Sequence, residues 1–209
     1  MDSLFSWKDR ILEAPICYSL WSSLLNGQKI RAIRKVMPVH LNLSVLDIGC
    51  GPGTNTRLFK DCRYTGVDIN ERYIAHAKAT YPQRDFFVQD ITKSDLPPNS
   101  FDLVLINSLL HHMQDKDIES LFASLSSHNM KTEGRIVISE PLTAPRSKII
   151  RHMLERLDRG DYFRTYEEYS KLLAPFFLLE KEYIYPLRIS GVIGWQMLTM
   201  CLIKKNDSI

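Results

Sequence analysis

The longest apolar runs in this chain are the length of a strand, so nothing in it reads as a membrane-spanning helix. The first ten residues, Met1 to Arg10, have no basic stretch leading into an apolar one, which argues against a secretory signal. Cysteine is sparse: Cys17, Cys50, Cys62 and Cys201 lie scattered, without the spacing of a metal or redox pair. A reducing cytoplasm is the expected compartment. Lys and Arg outnumber Asp and Glu by 27 to 24, and a net charge of +3 is too small by itself to indicate a nucleic-acid partner. No internal repeat or low-complexity linker interrupts the chain. What remains is a 209-residue sequence, 44% hydrophobic and 24% charged, of ordinary composition for one domain with a sizeable core.

Its chemistry is concentrated in Val45-Leu46-Asp47-Ile48-Gly49-Cys50-Gly51-Pro52-Gly53. An apolar strand runs into an acid and then into three alternating glycines, residues that let the backbone turn sharply and approach a ligand closely. A dinucleotide loop spends that closeness on a pyrophosphate and has the spacing G-x-G-x-x-G. Here the spacing is G-x-G-x-G, and Asp47 stands just ahead of it. A carboxylate there repels phosphate and attracts a cation. S-adenosylmethionine (SAM) fits, having an adenosine without phosphate, a sulfonium and an ammonium.

Around this loop, 1–39 reads as helical, broken near Pro15 and Asn26-Gly27, with Leu12, Ile16, Leu20, Leu24 and Leu25 as an apolar stripe. From 43 to 140, strand-length apolar runs alternate with amphipathic segments such as 71–80 and 116–128, which predicts a parallel sheet with helices on both faces. A long, mostly helical connection follows over 141–174. Within it Thr165 has the position of an N-cap, with Glu168 completing a capping box. Two strands over 176–185 and 193–203, joined by a turn at 186–191, then predict an antiparallel hairpin at the sheet edge.

Five segments in order resemble the class I SAM-dependent methyltransferases, in particular the small bacterial enzymes acting on small molecules. They are the glycine loop, Tyr64-Thr65-Gly66-Val67-Asp68-Ile69, Phe86-Phe87-Val88-Gln89-Asp90-Ile91, Phe101 to Asn107 with Leu110-His111-His112-Met113 behind it, and Gly134 to Glu140. The resemblance covers roughly 40–140 and implies a Rossmann-like α/β fold: a mostly parallel seven-stranded sheet, helices on both faces and a C-terminal antiparallel hairpin. It implies one methyltransferase domain over 1–209, with a helical lid at 1–39, a SAM-binding core at 40–140, a substrate-side helical segment at 141–175 and the hairpin at 176–209.

The cofactor residues it implies are Asp47, Gly49, Cys50, Gly51, Gly53, Asp68, Ile69, Asp90, Ile91 and Asn107. Asp68 accepts from both ribose hydroxyls, or instead caps the helix at 71–80. Asp90 accepts from the adenine amino group with the Ile91 amide beside it, or is a plain turn residue. Asp47 orients the loop and meets the methionyl ammonium, directly or through water. Ile69 packs on the adenine face. The carbonyl of Asn107 or of Ser108 meets the ammonium. S-adenosylhomocysteine is the product.

The acceptor is less legible. Methyl transfer from a sulfonium is an in-line displacement, in which the enzyme positions the nucleophile and can remove its proton. His111 and His112 are the candidate catalytic bases. Adjacent residues of a helical turn point about 100° apart, so one at most faces the substrate. No third ligand has the spacing to make a metal site of them. Glu140 touches the acceptor or caps the next helix. From 145 to 164, six Lys/Arg face three acids, and Arg159 and Arg164 with nearby aromatics can clamp an anionic acceptor, or form a solvated helix face. Tyr18 and Trp21 in the lid can line the same pocket.

The adenine- and amide-methylating enzymes carry Asn/Asp-Pro-Pro-aromatic after the fourth strand. Here Asn107 is followed by Ser108-Leu109-Leu110. The expectation is therefore methylation of a small molecule at oxygen or nitrogen, with no nucleic-acid partner, no membrane span and an undetermined oligomeric state. The alternatives are carbon methylation of a quinone-like ring and a SAM-binding, non-catalytic partner protein.

Overall fold

Alternation along the strands sorts this chain's core into two layers. In Ser44–Ile48 (β1), Leu46 and Ile48 point to one face and Val45 to the other. Phe101–Asn107 (β4) sends Val104 and Ile106 one way and Leu103 and Leu105 the other. All of these are fully buried, the pattern of strands covered on both sides. The computed structural model describes residues 27–37, 42–93, 96, 100–143, 161–189 and 192–205.

The remaining strands are Arg63–Asp68 (β2), Asp85–Val88 (β3), Met130–Leu142 (β5), Phe177–Ile189 (β6) and Val192–Lys204 (β7). They form one sheet of order β3-β2-β1-β4-β5-β7-β6. β1 to β5 run parallel, while β7 is antiparallel to both its neighbours. This is the mostly parallel, Rossmann-like seven-stranded sheet with an edge hairpin that the sequence leads one to expect. A helix over 27–36 (α1) and Glu71–Thr80 (α2) pack on one face through Ile33, Val36, Ile74 and Ala77. Asp115–Ser124 (α3) and Tyr166–Leu173 (α4) pack on the other through Ile118, Leu121, Phe122, Leu172 and Leu173. The capping box of Thr165 and Glu168 starts α4 as expected.

Three boundaries differ from the sequence reading. The segment read as one helix over 116–128 is helical at Asp115–Ser124 and then widens into a single π turn at Leu125–Asn129. β5 does not stop at Glu140 but continues through Pro141 and Leu142, paired with Gln196 to Leu198 of β7. β6 runs past Pro186 to Ile189 instead of turning there. β6 is the outer strand, so Pro186, which has no N–H, interrupts no ladder on its open side. Most of the proposed lid, and 144–160 of the connection, lie outside the described residues.

β2 crosses the layer at its one glycine. A Cβ on Gly66 would stand 2.8 Å from the Phe86 ring and 2.9 Å from Cys50 Sγ, and both neighbours are buried. Gly66→Ala is expected to cost about 1–3 kcal/mol from overpacking, read as a lower urea midpoint at unchanged m value.

Candidate functional site

Open parallel sheets bind ligands beyond the C-terminal strand ends, where strand order reverses. Here that point lies between β1 and β4. The glycine loop turns there through left-handed conformations, with φ of 71° at Gly49, 54° at Gly51 and 82° at Gly53. A Cβ on Gly49 would come within 3.0 Å of the Leu109 side chain, so the loop packs directly on the segment after β4. Both Gly49 N and Cys50 N donate to Val67 O, at 2.9 and 3.0 Å, tying the loop to β2.

Asp68 closes the loop from the other side. Its Oδ2 accepts from Gly51 N and its Oδ1 from Asn70 N, each at 2.8 Å. Burial pushes its carboxyl up, against the two amides that favour the charge. Each oxygen keeps a lone pair beyond the bond it already accepts. Asp68 does not cap α2: that is done by Asn70, whose Oδ1 accepts from Arg72 N and Tyr73 N. Next to it Ile69 is 65% exposed, a large apolar side chain lying open at the strand ends. Asp90 accepts from Thr92 N, Thr92 Oγ1 and Lys93 Nζ in a tight turn, and these partners hold its carboxyl near 2. Ile91 is half-buried against the core. Cys50 is buried in the loop, and desolvation raises its thiol far above the ordinary value, which leaves it unreactive.

Asp47 is enclosed. It is completely buried, and its carboxylate accepts from Tyr64 Oη at 2.5 Å and from Asn55 Nδ2 at 3.1 and 3.3 Å. Asn107 Nδ2 donates in turn to Asn55 Oδ1 at 3.1 Å. The chain Tyr64–Asp47–Asn55–Asn107 thus carries the buried acid's influence out to the half-buried end of β4. Asp47 orients the loop from within, and the side chain nearer the surface is Asn107. Ser108 follows in a left-handed conformation, φ 58°, and accepts from Lys29 Nζ of α1 at 2.6 Å.

Next to this edge lies the turn 109–113, where the sequence places the candidate bases. Glu140, fully buried on β5, accepts from Leu109 N (2.7 Å) and Leu110 N (2.9 Å) with Oε1, and its Oε2 lies 2.7 Å from His111 Nδ1. Glu140 therefore holds the turn after β4. His111 is buried, its ring stacked on Phe163 at 5.3 Å and beside His112 at 4.1 Å. His112 is the exposed member of the pair.

Arg164 requires a correction. Its guanidinium does not stand open to an anionic acceptor, because it is 5% exposed and all five N–H groups are engaged. Nε and Nη2 donate to Asp115 Oδ1, Nη1 to Leu110 O and Tyr162 O, and Nη2 also to Met113 O. It is a brace for the turn. Tyr18, Trp21 and Arg159 lie outside the described residues. Among the described residues no three His, Cys, Asp or Glu are grouped to hold a metal ion, and no helix is long and apolar enough to cross a membrane.

Sequence reasoning missed Asn55, Tyr64, Lys29 and Phe163. Tyr64 stands two places before Gly66, the residue opposite Asp47, so only the β1–β2 register brings it to the acid. Asn55 had a signal, a polar amide just beyond the third glycine. Nothing local marked Lys29 or Phe163.

Residues 45–132 match the family model described as a methyltransferase domain. A probable S-adenosylmethionine-dependent methyltransferase of Mycolicibacterium smegmatis is 30% identical over 46% of this chain and 37% of its own length. A trans-aconitate 2-methyltransferase of Variovorax paradoxus is 34% identical over 39% of this chain and 34% of its own. Phosphoethanolamine N-methyltransferase 3 of Arabidopsis thaliana is 26% identical over 62% and 27%. The matched part thus spans about a third of the length of these relatives. Among solved structures, an S-adenosylmethionine-dependent methyltransferase of Mesorhizobium loti superposes with a TM-score of 0.67 at 19% identity, over 84% of this chain and 96% of that one, a likeness of fold.

Burial gives Asp47 a pH signature. Its carboxyl is pushed from 3.8 to about 7 in the folded chain. Between those values the folded state binds more protons than the unfolded state, so stability falls as pH rises, by about 4 kcal/mol at most. Asp90 and Glu180 act in a separate window. Thr92 and Lys93, and Arg135, hold them near 2, so their contribution is lost only as pH falls below about 4. Urea midpoints of the wild type are expected to drop from pH 5 to pH 8, and Asp47→Asn to flatten that slope. An equal slope in the two proteins removes Asp47 as its source.

Proposed function

We propose that this chain, whose residues 45–132 match a methyltransferase-domain model, is a class I S-adenosylmethionine-dependent methyltransferase that moves the methyl group of SAM to a small-molecule acceptor at oxygen or nitrogen and releases S-adenosylhomocysteine. One observation carries the cofactor reading. The Asp68 carboxylate is fixed by Gly51 N and Asn70 N at the point where strand order reverses, with exposed Ile69 beside it. A carboxylate anchored in this way can receive two ribose hydroxyls on its remaining lone pairs. Ile69 then offers an apolar face to the adenine, and Asp90 a ring-edge acceptor. Asn107 and Ser108 end β4 where the methionyl group would lie, and Asp47 fixes Asn107 through Asn55.

When bound, SAM supplies an activated methyl on a cationic sulfur. The chain's own residues orient it, exclude water and hold the nucleophile in line. His111 is the base candidate that the geometry favours, since Glu140 Oε2 fixes its ring at Nδ1. The acceptor is read as anionic, and it was matched first to Arg159 and Arg164. With Arg164 occupied as a brace, a cation that the described residues bring to this edge is Lys29, whose ammonium donates to Ser108. The names of two relatives, for trans-aconitate and phosphoethanolamine, support an anionic small molecule.

The engaged guanidinium of Arg164 also favours the second reading. A clamp with one arginine fewer suits carbon methylation of a quinone-like ring better than the sequence alone suggested. The non-catalytic reading has no such support, because the loop glycines and Asp68 keep their geometry.

Calorimetric titration with SAM and with S-adenosylhomocysteine tests the cofactor reading. Both are expected to bind, and Asp68→Ala to weaken both by about 100-fold or more, the value of two lost charge-assisted hydrogen bonds. No heat from either ligand in the wild-type protein would bring the non-catalytic reading forward.

A further inference from the structure

One run of hydrogen bonds across the switch point keeps a single direction. Lys29 Nζ of α1 donates to Ser108 Oγ at 2.6 Å, and Ser108 Oγ donates to Asn107 Oδ1 at 3.5 Å. Asn107 Nδ2 donates to Asn55 Oδ1 at 3.1 Å, and Asn55 Nδ2 to the Asp47 carboxylate at 3.1 and 3.3 Å. Tyr64 Oη donates to the same carboxylate from β2 at 2.5 Å. Every donor in this relay is turned toward Asp47, which suits an ionised acid, able only to accept. The same orientation sets the amide oxygen of half-buried Asn107, and not its nitrogen, toward Ser108 at the strand ends. A proton on Asp47 would need an acceptor of its own. Tyr64 is a poor one, because its own hydrogen would then need a partner, and the neighbouring Thr56 Oγ1 has no hydrogen bond among the described residues. Asn55 becomes an acceptor by turning its amide, which sets its Nδ2 against Asn107 and turns that amide in the same sense. Asn107 then shows Nδ2 where it showed Oδ1. The other ionisable groups around the acid do not take this proton. Burial holds Tyr64 and the Cys50 thiol neutral, and the like charge of Asp68 favours the proton on Asp47.

We propose that a ligand ammonium received at Asn107 Oδ1 displaces the proton of Asp47 to solvent through this relay, and that the Asn55–Asn107 pair thereby selects nucleosides that carry an amino-acid group. This rests on the methyltransferase reading and concerns the same site. An ammonium is donor-only, so Oδ1 receives it and Nδ2 refuses it. Binding therefore requires the orientation that an ionised Asp47 imposes. One positive charge enters as the ammonium and one leaves as the proton, so the buried edge gains no unbalanced charge. Asp47 touches no ligand in this scheme, because it is completely buried. Asn107 is the contact, and Asn55 and Asp47 are positioning residues. Asp68 stands outside the exchange, its carboxylate being held by Gly51 N and Asn70 N. The exchange has a pH window. Burial lifts the Asp47 carboxyl to about 7, so below that value there is a proton to displace and well above it there is none.

Calorimetric titration of the full chain at about pH 6.5, in phosphate and in imidazole buffer, counts the protons released, because the two buffers differ in heat of ionisation. S-adenosylhomocysteine is the probe, its amine being almost fully protonated at that pH. Methylthioadenosine, which has the same adenosine and no amino-acid group, is the comparison, and any proton that ribose contacts draw from Asp68 appears with both. About half a proton or more is expected per S-adenosylhomocysteine bound, shrinking as the pH rises to about 8.5, with almost none for methylthioadenosine. Asp47→Asn is expected to bind S-adenosylhomocysteine with equal heats in the two buffers. Asn107→Leu is expected to narrow the preference for S-adenosylhomocysteine over methylthioadenosine by about 10-fold or more. If Asp47→Asn does not fold, the two ligands on the wild type decide alone. Equal heats in the two buffers for S-adenosylhomocysteine on the wild type, or equal proton release with both ligands, overturn the proposal and leave the methyltransferase reading standing. No heat from either ligand overturns that reading and the proposal with it.

Discussion

A carboxylate with no access to water governs the glycine-loop edge of the sheet. Asp47 sits at the buried end of β1, where an ionised group costs several kcal/mol unless neighbours replace its hydration. Tyr64 and Asn55 replace it with three donor contacts, and burial still lifts the carboxyl to about 7. The surrounding choices follow. β2 has a glycine opposite the acid, so Cys50 and Phe86 can close over the space. Asn55 spends its amide nitrogen on Asp47 and so has its oxygen left for Asn107. A cation arriving at this edge favours the charged form of the acid, which couples ligand charge to the geometry of the loop.

The layers of the fold were legible because burial on both sides writes itself into the strands. Val45, Leu46 and Ile48, or Leu103 to Ile106, leave no polar position for a solvent face. The glycine loop was legible for a related reason, since three left-handed turns in five residues tolerate few other side chains. The hairpin boundary was not. Pro186 reads as a turn in any local window, and only its place on the outer strand lets the ladder continue past it. The π turn at Leu125–Asn129 left no periodic trace, because one widened turn shifts the stripe by a single residue.

Charged residues were harder to read than apolar ones. Residue type shows that a group is charged but not which partner the fold will bring to it. Asp68 was readable, since its partners are the loop and the next few residues. Glu140 and Arg164 were not, because the groups Glu140 satisfies lie 29 to 31 positions away, and those of Arg164 other than Tyr162 O lie 49 to 54 positions away. An arginine in a basic stretch resembles a surface clamp until the carbonyls it reaches are known.

Those two buried side chains act through the peptide between them. Glu140 takes the amides entering the turn 109–113 and Arg164 the carbonyls leaving it, so each charge meets the end of the turn's dipoles that suits it. For stability alone this is a poor bargain, since buried ions are often matched by well-packed apolar groups. It does specify one conformation for the turn, because any other strands a charge in the core. The Gly49 loop packs on Leu109 and the His111 ring is pinned by Oε2, so a shift in this turn would reach the cofactor loop and the imidazole together. The glycine loop and the turn after β4 are therefore held to one another by the same few hydrogen bonds, which is what the proposed in-line transfer over a single methyl group would demand.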